Sequence, residues 1–119
     1  MLNNKQNKIE IDFESLNQFT GNNPDFARQL IAAFLIELKN FAALLKEDKP
    51  NEEEFLLIRK AYHSISPSLQ MLRLNVLITT IEEYKSTFIN DPEKLNEKAN
   101  QLKEMVLELI EHTKQRTSL

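Results

Sequence analysis

Residues 51–74 read NEEEFLLIRKAYHSISPSLQMLRL, and this stretch decides the fold class. Its apolar side chains alternate steps of three and four residues, the pattern of one buried helix face; they are Phe55, Ile58, Tyr62, Ile65, Leu69 and Leu72. Asn51, followed by Glu54 three residues later, matches a capping box and predicts where the helix begins. The stretch therefore predicts an amphipathic helix that packs into a core and ends near Leu72 to Leu74.

A short helix and a long helix are predicted before this stretch. Asp12 is a suitable N-cap for the short helix, and Gly21 is a suitable residue to end it. Residues 23–25, Asn-Pro-Asp, read as an N-cap, a first-turn proline and an acid near the positive end of a helix. We expect the long helix that follows to run to about Lys46.

Two more helices are predicted after residues 51–74. An apolar period from Leu74 to Phe88 marks the first, which should stop before Asn90. Residues 91–93, Asp-Pro-Glu, repeat the cap, proline and acid, and the last helix has an apolar inner face; that face comprises Leu95, Ala99, Leu102, Val106, Leu109 and Thr113. Four long helices with short connections favour an all-α antiparallel four-helix bundle, with the short N-terminal helix lying across one end. We expect residues 1–10 to be a flexible tail and residues 11–119 to be one domain.

Composition excludes several functions. The 119 residues include no cysteine, which rules out disulfides, thiolate metal sites and a cysteine nucleophile, and a single glycine, which rules out a glycine-rich phosphate loop. The net charge of −3, with scattered basic residues, gives no support for nucleic-acid binding. No apolar run approaches a membrane span, and the first residues do not resemble a signal peptide. A cytoplasmic protein is expected.

His63 is the candidate for chemistry. It lies about 100° around the helix from Tyr62, so it faces the flank of the apolar seam, where Arg59, Ser66, Pro67 and Gln70 are its neighbours one turn away. A lone histidine at such a position is more often a solvated side chain than a reactive one. Pro67 favours a special role for His63. Its ring presses on the His63 carbonyl, so a kink that costs stability is predicted there.

Other polar groups have simpler explanations. His112 suits the negative end of the last helix, and the acids at residues 52–54 suit the positive end of theirs. Glu82 and Glu83 are adjacent, about 100° apart, so they form no acid and base pair. His63 and His112 lie on different helices, so no histidine-rich metal site is predicted.

The run at residues 61–68, Ala-Tyr-His-Ser-Ile-Ser-Pro-Ser, resembles the alanine-x-His-x-leucine-lysine-glycine-serine run of histidine phosphotransfer domains. The likeness extends from Ile11 to about Thr113, through the opening Asp-Phe-Glu-Ser-Leu at residues 12–16, the Pro-Asp-Phe at 24–26, and the order and lengths of the helices. It implies that His63 is a phosphoacceptor in a two-component phosphorelay. Receiver domains of response regulators, and a hybrid sensor histidine kinase, are the implied partners.

The resemblance also implies which groups meet the phosphoryl group and the receiver: Arg59, Ser66, Pro67, Gln70 and Arg73. Three of them depart from the family pattern. Ser66 stands where the family has lysine, and Pro67 where it has glycine. Arg73 stands where a second glycine is usual. Arg59 is the cation best placed to compensate for the lysine, since it precedes His63 by one turn.

A phosphoryl carrier of this class is not itself an enzyme and has no nucleotide site. We expect a monomer with no metal and no cofactor of its own, Mg²⁺ being expected only on the receiver. Two alternatives stay open at the level of sequence. One is a degenerate adaptor, favoured by Ser66, that binds a receiver or kinase without accepting phosphate; the other is a structural or self-associating bundle.

Overall fold

Helices form wherever the sequence carries the three-and-four apolar period. The computed structural model describes residues 9–46 and 49–117. Within them lie α1 (Phe13–Phe19), α2 (Pro24–Leu44), α3 (Glu52–Met71), α4 (Asn75–Asn90) and α5 (Leu95–Thr117), a 3₁₀ turn at Pro92–Lys94, and no strand. The predicted all-α class is confirmed. Most of the predicted tail, residues 1–8, lies outside the described residues.

Three of the predicted helix starts are confirmed by their hydrogen bonds. The side chains of Asp12 and Asn23 each accept a bond from the backbone N–H three residues later, at 3.0 and 3.1 Å. Asn51 and Glu54 form a reciprocal capping box. The Glu54 N–H donates to Asn51 Oδ1 at 2.8 Å, and the Asn51 N–H donates to Glu54 Oε1 at 2.9 Å. These bonds satisfy N–H groups that no helical carbonyl can reach.

The predicted cap at Asp91 is wrong. Its side chain makes no capping hydrogen bond, and the Lys94 N–H donates to the Asp91 backbone carbonyl at 3.0 Å. The intervening residues form the 3₁₀ turn, so α5 begins only at Leu95. The fixed φ of a proline suits the first turn of either helix type, so the cap-proline-acid pattern did not distinguish them.

The apolar seams form the core. Every seam residue of α3 from Phe55 to Leu72 is buried, and so is every inner-face residue of α5 from Leu95 to Thr113, as predicted. The long helices contact one another in a closed ring, α2 with α3, α3 with α4, α4 with α5, and α5 with α2. The two helices α3 and α4 are thus neighbours, which brings the flank of α3 beside side chains of α4.

The beginning of α1 is held at the C-terminal end of α3. The Asp12 backbone N–H donates to the Leu72 carbonyl at 3.1 Å, and the Arg73 side chain donates to Ser15 Oγ at 3.0 Å. Gly21 ends the α1 turn with φ +64°, the left-handed conformation that glycine adopts at least cost. Both observations agree with the prediction of a short first helix at one end of the molecule.

Candidate functional site

His63 is exposed on α3, as its flank position predicts. It lines a surface hollow of about 390 Å³ between α3 and α4. We call this the His63 hollow; its lining residues are Leu56, Arg59, Lys60, Tyr62, His63, Ser66 and Lys85. A rigid helix therefore presents the imidazole to a space that a small group can enter.

The charged side chains that line this hollow are all cationic. Arg59 and Lys60 come from α3, in the turn before His63, and Lys85 comes from α4. Among the described residues that line the hollow, none carries a carboxylate. Three cations around one imidazole favour an anionic group at that imidazole over a cationic one.

A buried tyrosine, Tyr62, lines the hollow and connects α3 to α4. The Tyr62 hydroxyl donates to Glu82 Oε2 at 2.9 Å, and Lys85 Nζ lies 3.4 Å from the other carboxylate oxygen of Glu82. The same ammonium lies 5.1 Å from the centre of the Tyr62 ring. Burial, with the hydrogen bond to Glu82, raises the pKa of Tyr62 to about 12, so its hydroxyl keeps its proton at neutral pH.

Beyond His63, α3 continues without interruption through Pro67 to Met71. Gln70 Nε2 lies 3.5 Å from Ser66 Oγ, a long contact along the exposed face. Ser66 lines the His63 hollow, whereas Pro67 and Gln70 do not. Both lie on the exposed surface of the same helix, next to the hollow.

Arg73 belongs to a different part of the molecule. It is the residue after the C-cap of α3 and has φ +57°. The Leu74 N–H donates to the Leu69 carbonyl at 2.9 Å and the Arg73 N–H to Gln70 at 3.1 Å, the two bonds of a Schellman motif. The Arg73 side chain donates to Ser15 Oγ, and its Nε lies 3.7 Å from Asp12 Oδ2. The Arg73 guanidinium thus faces α1, and it does not line the His63 hollow.

Of the residues that sequence predicted for the site, the structure therefore brings Arg59 and Ser66 into one hollow with His63. It adds Lys60 and Lys85, which sequence reasoning missed. Lys60 could have been found, because it precedes His63 by three residues on the same helix. Lys85 could not, because no local pattern shows which flank of α3 faces α4.

His112 has an opposite environment. Its Nε2 lies 3.2 Å from Glu10 Oε1, and its small hollow of about 150 Å³ is lined also by Ile9 and Glu108. It lies five residues before the last described residue of α5, Thr117, and so is not in the last turn as sequence indicated. Two carboxylates beside this imidazole repel an anionic group and so disfavour a phosphoryl group on the ring.

Two properties of the described residues bear on the site. No three His, Cys, Asp or Glu side chains in them come together in an arrangement that could hold a metal ion. No helix in the same residues has both the length and the apolar character needed to cross a membrane.

Comparison of the chain with models of known protein families, with curated proteins and with solved structures finds no match.

Proposed function

We propose that this protein is a histidine phosphotransfer domain that relays a phosphoryl group between receiver aspartates through His63. The observation that carries the proposal is the exposed imidazole of His63 in a hollow lined by three cations. The resemblance of residues 61–68 to the family motif points to the same residue. The closed ring of long helices with α1 at one end supports an antiparallel four-helix bundle, the architecture expected of this class.

The transfer step needs only the His63 imidazole and the aspartyl phosphate of a receiver. The unprotonated ring nitrogen of neutral His63 attacks the phosphorus of a receiver's aspartyl phosphate. The bond from phosphorus to the aspartyl oxygen breaks, and the carboxylate leaves with its electron pair. The ring then carries the phosphoryl group on one nitrogen and a proton on the other. Transfer to a second receiver reverses these events, with a new aspartate as the nucleophile.

The chain's own contribution is position and charge. A helix on a packed core fixes the imidazole, and the surrounding cations offset the charge of the incoming phosphoryl group. Leu56, which is 46% exposed and lines the hollow, offers apolar area to a docked receiver beside the reacting atoms. Mg²⁺ is expected on the receiver only, and the chain needs no nucleotide site of its own.

The alternative is an adaptor that binds a receiver through this same face and never takes phosphate. Ser66 favours it, because a neutral hydroxyl stands where the family motif has a cation. Loss of one charge-assisted contact costs about 1–3 kcal/mol, which slows transfer about ten- to a hundredfold and does not abolish it. The other cations of the hollow favour the carrier over the adaptor.

The test is a phosphorylation assay with a panel of phosphorylated receivers. The wild-type protein should gain one phosphate that is labile in acid and stable in alkali, and His63→Gln should gain none. His112→Gln is the matched control and should be labelled like the wild type. A wild-type protein that binds a receiver tightly but takes no label would show that the adaptor is the correct function.

A further inference from the structure

The His63 hollow contains a lysine that the sequence motif lacks, and it comes from a different helix. We propose that Lys85 of α4 is the cation that contacts the phosphoryl group on His63, in place of the lysine that the motif has at the position of Ser66. This inference rests on the proposed function, since it assigns a role in the same site. It requires only that His63 can carry a phosphoryl group.

Lys85 lines the same hollow as His63, and two contacts hold its side chain there. Its ammonium is held 3.4 Å from Glu82 and 5.1 Å from the ring centre of Tyr62, the residue that directly precedes His63. Tyr62 is itself buried, and its hydroxyl is bonded to Glu82. A lysine held by an aromatic face and a carboxylate needs little further ordering when an anion arrives.

Lys85 differs in this respect from the cations of α3. The side chain of Lys85 is 29% exposed. Arg59 and Lys60 are exposed residues, and neither forms an ion pair within the part of the chain that the structure describes. A long exposed side chain loses conformational freedom when it binds an anion, and that loss offsets part of the attraction. A preorganised cation stabilises charge at lower cost.

Glu82 is then a positioning residue. One of its oxygens accepts the hydrogen bond from the Tyr62 hydroxyl, and the other lies 3.4 Å from the Lys85 ammonium, so the carboxylate links the lysine to Tyr62. A phosphoryl group with two negative charges attracts the ammonium more strongly than a single carboxylate does at equal distance. Lys85 can therefore turn toward the phosphoryl group, while Glu82 keeps its hydrogen bond to Tyr62.

A cation at this place predicts a longer life for the phosphohistidine. Hydrolysis passes through a loose transition state in which the bond from nitrogen to phosphorus is largely broken. Negative charge on the phosphoryl oxygens falls as that bond breaks, because the electron pair of the bond goes to the ring and not to the phosphorus. Lys85 thus stabilises the bound phosphoryl group more than the transition state, and hydrolysis slows.

The test loads His63 without any receiver, by treating the whole protein with phosphoramidate. The bond from nitrogen to phosphorus in that reagent breaks as the bond to the His63 ring forms, and ammonia leaves. Phosphorus NMR then measures the half-life of the phosphohistidine and the pKa of its phosphoryl group. Lys85→Met keeps the aliphatic stem against Tyr62 and removes the charge, and Lys85→Arg keeps the charge. Lys103→Gln removes an exposed lysine of α5 and is the matched control.

The half-life should shorten about tenfold in Lys85→Met, the effect of one lost charge-assisted contact. The pKa of the phosphoryl group should rise in the same variant, because its dianion loses a cation. Lys85→Arg should recover most of both values, and Lys103→Gln should match the wild type. Lys85→Gln serves as the second neutral variant if Lys85→Met melts at a lower temperature.

The inference is overturned if both neutral variants keep the half-life of the phosphohistidine and the pKa of its phosphoryl group at the wild-type values. It is also overturned if His63 of the wild-type protein takes no phosphate from phosphoramidate. Failure of the two proposals can be told apart. A Lys85-dependent half-life without transfer from any receiver contradicts the proposed function alone. Transfer from a receiver with a half-life independent of Lys85 contradicts this inference alone.

Discussion

The two histidines of this protein show what surroundings do to one side-chain type. His63 is exposed in a hollow lined by three cations and no carboxylate among the described residues, whereas His112 contacts Glu10 and shares its hollow with Glu108. The first set of charges attracts an anionic group to the ring, and the second repels one. The surrounding charges, and not the presence of a histidine, therefore mark a candidate phosphoacceptor.

The largest effect is expected from removing a cation beside His63. Arg59→Ala should slow phosphoryl transfer about tenfold, because it removes one of the three cations that line the hollow and a charge-assisted interaction contributes about 1–3 kcal/mol. Arg73→Ala should change the rate less, because its guanidinium faces Ser15 and Asp12 at the end of α3. Transfer rates are to be compared at equal receiver occupancy, which separates docking from chemistry. An equal loss in both variants would mean that the charges of the hollow do not determine the rate.

A second expectation concerns the effect of pH on stability through Tyr62, which lines the His63 hollow. The pKa of Tyr62 is raised to about 12 by burial and by Glu82, above the value near 10 of the unfolded chain. The folded state thus keeps a proton that the unfolded state loses, so this stabilisation is complete below pH 10 and falls between pH 10 and 12. The loss is up to about 1.4 kcal/mol per pH unit.

Urea unfolding of the wild type and Tyr62→Phe at pH 9 and pH 11 measures this contribution. The wild type should lose more stability than the variant between the two pH values, with Glu10→Gln, beside His112, as a control that follows the wild type. Equal losses of stability in the wild type and Tyr62→Phe would show that the raised pKa of Tyr62 does not contribute to the stability of the fold.

The smallest effect is expected at Arg73. A non-glycine residue at φ +57° is strained by about 1–2 kcal/mol, and glycine is not. Arg73→Gly should therefore raise the free energy of unfolding by about 1 kcal/mol, after the loss of two exposed contacts to α1. Phosphoryl transfer should be unchanged. Chemical unfolding gives the first value, and a slower transfer rate in Arg73→Gly would place Arg73 in the functional site after all.

Local patterns predicted most of the fold because they depend on neighbours along the chain. The capping box of Asn51 and Glu54 and the buried seam from Phe55 to Leu72 follow from spacings of three and four residues, and the structure confirms both. The cap at Asp91 failed because a proline in the first turn suits a 3₁₀ turn as well as an α-helix.

The candidate site could be predicted only in part. The exposure of His63 follows from its angle to the seam, and Arg59 and Ser66 from their distance of one turn. Lys85 lies about 20 residues from His63 and lines the hollow only because α3 packs against α4, and the same packing brings Glu82 to the Tyr62 hydroxyl. Which side of one helix meets another depends on the packing of many side chains together, which no local spacing reveals.

The role of His63 as the phosphoacceptor is best tested by following the two histidines within one molecule. Wild-type protein labelled with ¹⁵N is treated with a phosphorylated receiver, and NMR of the imidazole nitrogens follows both rings at once. The His63 signals should move to those of a phosphorylated ring, while the His112 signals should stay in place. Phosphorylation of His112 at a comparable rate, or of neither ring in a protein that binds the receiver, would contradict this role of His63.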